Sequence, residues 1–415
     1  MPGPKLRFKN EDGKDFPPPI PRKFIEIADK ISDGIHSTPK YDVNGKYFFI
    51  NGNNLINGQI EITPSTKKIA YDQYLLHKSD LNNQSILLSI NGTIGNLAFY
   101  DNQEVVLGKS ACYINLKSTI NKKYVYQLLQ TPIIKNYFEQ ELTGSTIKNL
   151  SLTTIKNTSA EFPVEQEQTK IANFLTAVDS KISQLTKKHE LLTLYKKGVM
   201  QKIFSQELRF KDGEGREFAE WVVTKIADLN LYISDGNYGE QYPTSDQMVG
   251  FGIPFIRANN IKGLKLVWDD MRYITPDHHK ILTSGHLKPN DILITTRGEI
   301  GSVAFVNDEF GGANINAQIC LLRVQDIQET DPKYLIQALT QQSAQKQFKE
   351  LQTGSALKQL PKSSLGKVTI QIPCLLEQTK IANFLIAIDD KITNVKSQLE
   401  AAKEYKQGLL QQMFV

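Results

Sequence analysis

The sequence has no run of eighteen apolar residues, only three cysteines in 415 residues, and none of the short motifs that mark common cofactor or metal sites. The missing apolar run removes a membrane-spanning helix. The opening Met-Pro-Gly-Pro-Lys stretch lacks a signal-peptide core, so a cytoplasmic protein is expected. Cys112, Cys320 and Cys374 are odd in number and far apart, which argues against a disulfide framework and a thiolate zinc knuckle; buried, inert thiols are expected. There is no phosphate-binding loop, no G-x-G-x-x-G and no Asn-Pro-Pro-Tyr run of the kind carried by amino-methylating enzymes. Pro276-Asp277 and Asp331-Pro-Lys333 could seed a nuclease site, but their local contexts are unrelated and the first half of the chain has no equivalent. His278, His279 and His286 lack acidic or cysteine ligands at a useful spacing and read as a solvated loop. The expectation is a chain without catalysis, metal or bound cofactor.

What is present is a copy of the chain inside itself. Glu167-Gln-Thr-Lys-Ile-Ala-Asn-Phe-Leu175 returns unchanged as Glu377-Gln-Thr-Lys-Ile-Ala-Asn-Phe-Leu385, and the copies stay in step at an offset of 210 through Asp179 and Asp389 to Phe204 and Phe414. Upstream the offset drifts. Leu6-Arg-Phe-Lys9 matches Leu208-Arg-Phe-Lys211 and Ile31-Ser-Asp-Gly34 matches Ile233-Ser-Asp-Gly236 at 202, whereas Gly92-x-x-Gly95 matches Gly298-x-x-Gly301 at 206. Thr143-Gly-Ser145 matches Thr353-Gly-Ser355 at 210. A drifting offset means small loop insertions in one common fold.

Each nine-residue run opens a long helix with a seven-residue apolar repeat. One seam holds Ile171, Leu175, Val178, Ile182, Leu185 and Leu192; the other holds Ile381, Leu385, Ile388, Ile392, Val395 and Leu399. His189, Lys196 and Lys406 interrupt the seams, and polar residues there commonly set register at some cost in stability. Since each buried Leu, Ile or Val contributes roughly 1.5–3 kcal/mol, neither stripe can be left in water, and the two helices are expected to pair, antiparallel, around a pseudo-twofold axis. A helix over 165–204 would be about 60 Å long at 1.5 Å per residue.

The resulting division is a domain over 1–160, a helix over 161–207, a second domain over 208–370 and a second helix over 371–415. Each domain is α+β, with strands at 46–50, 85–90 and 97–100 in the first, and 253–256, 291–295 and 302–306 in the second. Helical segments are expected at about 122–140 and 332–351. The net charge of +5 divides unevenly: residues 1–160 hold 19 Lys+Arg against 14 Asp+Glu, residues 208–370 hold 18 against 19. A polyanion would therefore find only a local patch on the second domain.

Between the halves the frame is kept and the loop residues are changed. His36, Ser37 and Thr38 stand where the second half has Asn237 and Tyr238. Asn51, Asn53 and Asn54 face Arg257, Asn259 and Asn260, and Asn91 and Thr93 face Arg297 and Glu299. Such side chains are suited to reading base edges, arginine on guanine, asparagine on adenine and glutamate on the cytosine amino group; the bland alternative is a turn residue or a solvated charge. Thr143, Ser145 and Lys148 against Thr353, Ser355 and Lys358 are better preserved, as suits the sequence-independent phosphate backbone.

The doubled Glu-Gln-x-Lys-Ile-Ala-x-Phe-Leu run followed by Asp-x-Lys-Ile, with the Ser-Asp-Gly, Asn-Asn, Gly-x-Ile-Gly and Thr-Gly-Ser elements, resembles the specificity subunits of Type I restriction–modification systems over nearly the whole chain. The resemblance implies two target-recognition domains separated by an antiparallel helix pair, each reading one half of a bipartite, asymmetric site in double-stranded DNA. It also implies partners, two modification (methyltransferase) subunits and restriction subunits, with S-adenosylmethionine held by the former. A coiled-coil scaffold whose repeated domains bind protein or glycan is the competing reading; it gives no reason for contact loops to differ between matched halves.

Overall fold

A computed structural model describes residues 4–144, 148–355 and 357–414. They form two compact units, Met1–Lys187 with Lys396–Val415 and Lys188–Val395, so that each unit takes the start of one long helix and the end of the other.

In the first unit a four-stranded antiparallel sheet runs Ala28–Asp33, Ala111–Leu116, Ser85–Ser89, Leu97–Phe99. A three-stranded sheet holds Tyr47–Ile50 between Lys67–Ile69 and, parallel to it, Val105–Leu107. The second unit repeats the plan. Leu231–Asp235, Ile319–Val324, Ile292–Thr295 and Val303–Phe305 are followed by two short strands, and Ile253–Ile256 lies between Arg272–Ile274 and the parallel Asn314–Ile315. The strands expected from aromatic and branched residues are all present, trimmed by a residue or so at their ends. Glycine is required in the two Ser-Asp-Gly elements because a Cβ at Gly34 would lie 2.1 Å from the Leu107 carbonyl oxygen, and at Gly236 2.1 Å from that of Asn316.

Cys112 and Cys320 sit at equivalent central positions, paired with Asp33 and Asp235, and burial pushes both thiols up. Cys374 departs from the expectation: it is exposed just before the second long helix. The helical segments expected over 122–140 and 332–351 are each a pair of helices. Lys122–Leu128 stops where the Thr131 hydroxyl bonds the Leu128 carbonyl and then caps Pro132–Gln140, proline being unable to continue the first helix. Pro332–Leu339 and Gln342–Glu350 divide at the same place, with Thr340 bonding the Gln337 carbonyl.

The long helices are Glu165–Phe204 and Leu375–Met413. All twelve seam residues named above are buried or half-buried. The pairing is antiparallel in each unit. In the first, Lys406 meets Asp179 at 2.7 Å while Leu409 and Met413 share a core with Ile171 and Leu175. In the second, Lys196 meets Asp389 at 2.7 Å while Ile203 shares a core with Ile381 and Leu385. The two lysine breaks in the seams are thus ion pairs with the other helix, joined by the buried Gln127 and Gln337 amides, which reach Asp179 and Asp389. No helix among the described residues is long and apolar enough to cross a membrane.

The identical nine-residue run is also where each helix docks on its own domain. Glu167 is 1% exposed and Glu377 fully buried; Arg7 holds the first at 3.0 and 2.5 Å, Arg209 the second at 3.3 and 2.8 Å, and the Trp221 indole donates to Glu377 as well. Gln168 accepts from the Asn121 N–H and donates to the Pro163 carbonyl, as Gln378 does with Asp331 and Pro373. Lys170 and Lys380 donate to the Lys9 and Lys211 carbonyls beneath the rings of Phe16 and Phe218. Phe174 packs edge-on against Phe8 and Phe384 against Phe210. Buried charge admits few partners and geometries, which is why this stretch is the same in both halves.

Candidate nucleic-acid interface

Three segments that are distant in sequence meet at one end of each main sheet. In the first unit Leu150 N–H donates to the Ile90 carbonyl and Asn149 pairs with both Asn91 and Thr143, which sets the Thr-Gly-Ser loop beside the Gly-x-Ile-Gly turn. In the second unit Leu360 N–H donates to Thr296, and Gln359 pairs with Arg297 and Thr353. The turn itself is built alike in both. Gly92 and Gly95 have φ of 73° and 92°, Gly298 and Gly301 of 74° and 93°, a left-handed backbone that side chains disfavour. A hydroxyl closes it from below: Ser89 donates to the Thr93 carbonyl and accepts from Asn96 N–H, and Thr295 does the same with Glu299 and Ser302. With their carbonyls tied inward, the side chains of Thr93 and Glu299 are left exposed.

The third segment is the stretch after Gly34 or Gly236. His36, Ser37 and Thr38 are exposed, with the His36 ring 2.8 Å from Asp33. Tyr238 donates its hydroxyl to the Ala317 carbonyl at 2.8 Å, and the Arg297 guanidinium lies 5.0 Å from its ring centre. In the first unit the Asn91 amide reaches the Lys109 carbonyl, and the Ser110 hydroxyl donates to Asn51 Oδ1 and accepts from the Gly52 N–H. Asn51 is therefore gathered with the turn.

Not every candidate residue is free to read a ligand. Asn54 and Asn260 are buried, and each accepts from the N–H three residues before it while donating to carbonyls of the following strand region, Glu61 for the first and Val267 and Asp269 for the second. Asn237 is buried and spends its amide on Thr283, Ser284 and Asn314. These three shape the loops. Arg257 is tied to Asp270 at 2.8 Å and holds that carboxyl below the usual carboxylate range, with Asn259 alongside at 3.4 Å. Asn53, Thr143, Lys148, Thr353, Ser355 and Lys358 are exposed; Ser145 lies outside the described residues.

Sequence reasoning passed over Leu357, which is 88% exposed in the Thr-Gly-Ser loop, two residues before the Gln359 that pairs with Arg297. An apolar residue at the same place in the first half, Ile147, was the available signal, although it lies outside the described residues. The histidines also depart from the solvated loop expected of them. His286 and His279 are half-buried and bonded to each other at 3.0 Å, and His286 also reaches the Leu282 carbonyl.

Residues 22–193 and 219–404 both match the family described as Type I restriction modification DNA specificity domain. The Type I restriction enzyme MjaVIII specificity subunit of Methanocaldococcus jannaschii is 25% identical over 61% of this chain and 61% of its own length. The putative Type I restriction enzyme MjaX specificity subunit of that organism is 26% identical over 63% and 60%. The chain thus spans about three-fifths of the length of these curated relatives. In fold, it matches the S subunit of a Type I restriction–modification system from M. genitalium over 100% of this chain and 99% of that one, with a TM-score of 0.65 at 17% identity. With two matched segments that together span most of its residues, and with the same architecture built twice, this chain belongs to the Type I restriction modification DNA specificity domain family.

Proposed function

We propose that this chain is the DNA-recognition subunit of a Type I restriction–modification complex, each unit reading one half of a bipartite, asymmetric site. The observation that carries the reading is the contrast within each unit. The arginine–glutamate, glutamine, lysine and phenylalanine contacts that dock helix to domain recur in both units, whereas the side chains displayed at the turn and loop end of the sheet differ in hydrogen-bonding character, Asn91 against Arg297 and Thr93 against Glu299. Lysine is kept at 148 and 358, where a phosphate contact is served equally well in any sequence context. A protein- or glycan-binding scaffold accounts for the duplication and leaves this division unexplained.

On this reading the chain itself is not an enzyme. Methylation and cleavage belong to modification and restriction subunits, S-adenosylmethionine is bound by the modification subunit, and the outward faces of the long helices dock the partners. Asn173 and Asn383, in the nine-residue run, have exposed side chains without a hydrogen-bond partner among the described residues, which suits such a surface. The test is methylation-site mapping in a host carrying this chain with a modification subunit. A split, asymmetric motif supports the proposal; a continuous or symmetric motif counts against it. In parallel, calorimetry of the purified chain should show no saturable binding of S-adenosylmethionine.

A further inference from the structure

The chain has eight arginines, and most are held by carboxylates: Arg7 and Arg209 by the helix-opening glutamates, Arg216 by Asp212 and Glu214, Arg257 by Asp270 with Arg272 beside it, and Arg323 by Asp291. Arg22 is in the strand Ile20–Lys23. Arg297 alone combines a place at the candidate interface with no carboxylate partner among the described residues. Its backbone is pinned by pairing to Gln359 and by the turn that Thr295 closes, and its guanidinium lies over Tyr238, whose ring is anchored through the hydroxyl to Ala317. Both ends of a long, otherwise mobile side chain are thereby held before any ligand arrives.

We propose that Arg297 reads a guanine in the half-site of the second unit, donating two N–H bonds to O6 and N7 in the major groove, with Tyr238 as the positioning residue that presents it. This rests on the DNA-recognition reading above and adds which residue reads which base. A guanidinium held over a ring by cation–π attraction spends none of its N–H donors on an acceptor there, so the edge that matches guanine in a bidentate fashion stays available. A phosphate role fits less well. Residues 208–370 carry 18 basic against 19 acidic residues and offer no general field for a polyanion, and the position changes from Asn91 to Arg297 while the neighbouring lysines at 148 and 358 do not change. The first unit makes the contrast sharper, since no arginine occurs between Arg22 and Arg209.

The test is selection of duplexes from a random pool by the full chain, followed by titration of the selected duplex and of its single-base variants at several salt concentrations. The wild type is expected to select a guanine at one position that Arg297→Ala and Arg297→Lys both lose, by roughly 5- to 150-fold in discrimination, lysine being a point charge without the fork. Bases selected in the other half-site should stay as they were, which reports that the variants are folded. Tyr238→Phe keeps the ring and should keep the guanine; Tyr238→Ala should weaken the preference with the slope of affinity against salt unchanged. Arg297→Ala selecting the wild-type sequence in both halves overturns the proposal. So does a uniform loss of affinity on every duplex with a shallower salt slope, the mark of a phosphate contact. A wild-type chain that selects no sequence at all overturns the DNA-recognition reading together with the inference, and is distinct from either of those results.

Discussion

The two units are alike at the ion pairs that hold the long helices and unlike where turn and loop side chains meet solvent. Arg7–Glu167 and Arg209–Glu377 are the same pair, the second with the Trp221 indole added, and Lys406–Asp179 and Lys196–Asp389 repeat across the helix seams. At the loop end the amide of Asn91 becomes the guanidinium of Arg297, and an exposed threonine becomes an exposed glutamate. A buried ion must find a partner of opposite charge with good geometry or cost several kcal/mol, so such a pair changes only as a whole, as where Asp291–Arg323 of the second unit stands at the Ser85–Asn115 hydrogen bond of the first. An exposed turn residue whose backbone is fixed by glycine and a closing hydroxyl can change chemistry without disturbing the fold.

That comparison can be broken first at the level of whole units. Exchanging residues 1–160 for the corresponding domain of another family member should replace one half of the mapped methylation motif and leave the other intact; a change in both halves would show that the units are not independent readers. Leu185→Asp comes next. Leu185 is buried in the first long helix, and an unpaired charge there should cost several kcal/mol and abolish both partner co-purification and specific DNA binding, although the residue is not at the candidate interface. A variant that retained both activities would remove the helices from their central place.

Smaller effects sharpen the likeness. Arg7→Ala and Arg209→Ala should each lower stability by about 3–5 kcal/mol, because each strands a buried glutamate, as read by denaturant unfolding of the full chain. Unequal effects would show that the Trp221 indole on Glu377 compensates in the second unit. The seam pairs are more accessible, so Lys406→Met and Lys196→Met should cost about 1 kcal/mol each, and a double-mutant cycle with Asp179→Leu or Asp389→Leu measures the coupling. Asn173→Arg together with Asn383→Arg should leave the melting temperature unchanged and reduce co-purification of the modification subunit; unchanged co-purification removes that surface from partner docking.

Much of this was legible before any coordinate. The offset of 210 paired Lys196 with Lys406 and Asp179 with Asp389, and the heptad stripe chose the helix face that is buried. The turn was legible through its glycines. Other residues were not. Asn53 and Asn54 are neighbours of one type, yet the first is exposed and the second is consumed beneath the loop. Helix periodicity also ran through Thr131, where side-chain bonds to the backbone end one helix and start another.

The amino-acid sequence by itself determined the duplication, the two long amphipathic helices and the positions at which the halves diverge, since repetition and periodicity are local records of backbone geometry and of which face meets water. Only the tertiary structure decided which charged residues are partners. Arg7 and Glu167 lie 160 residues apart and Lys406 and Asp179 farther still, and no local pattern names the partner of a buried charge. It likewise decided that Tyr238, Arg297 and Gln359, from three separate segments, share one end of a sheet, because strand pairing rather than sequence order places them together.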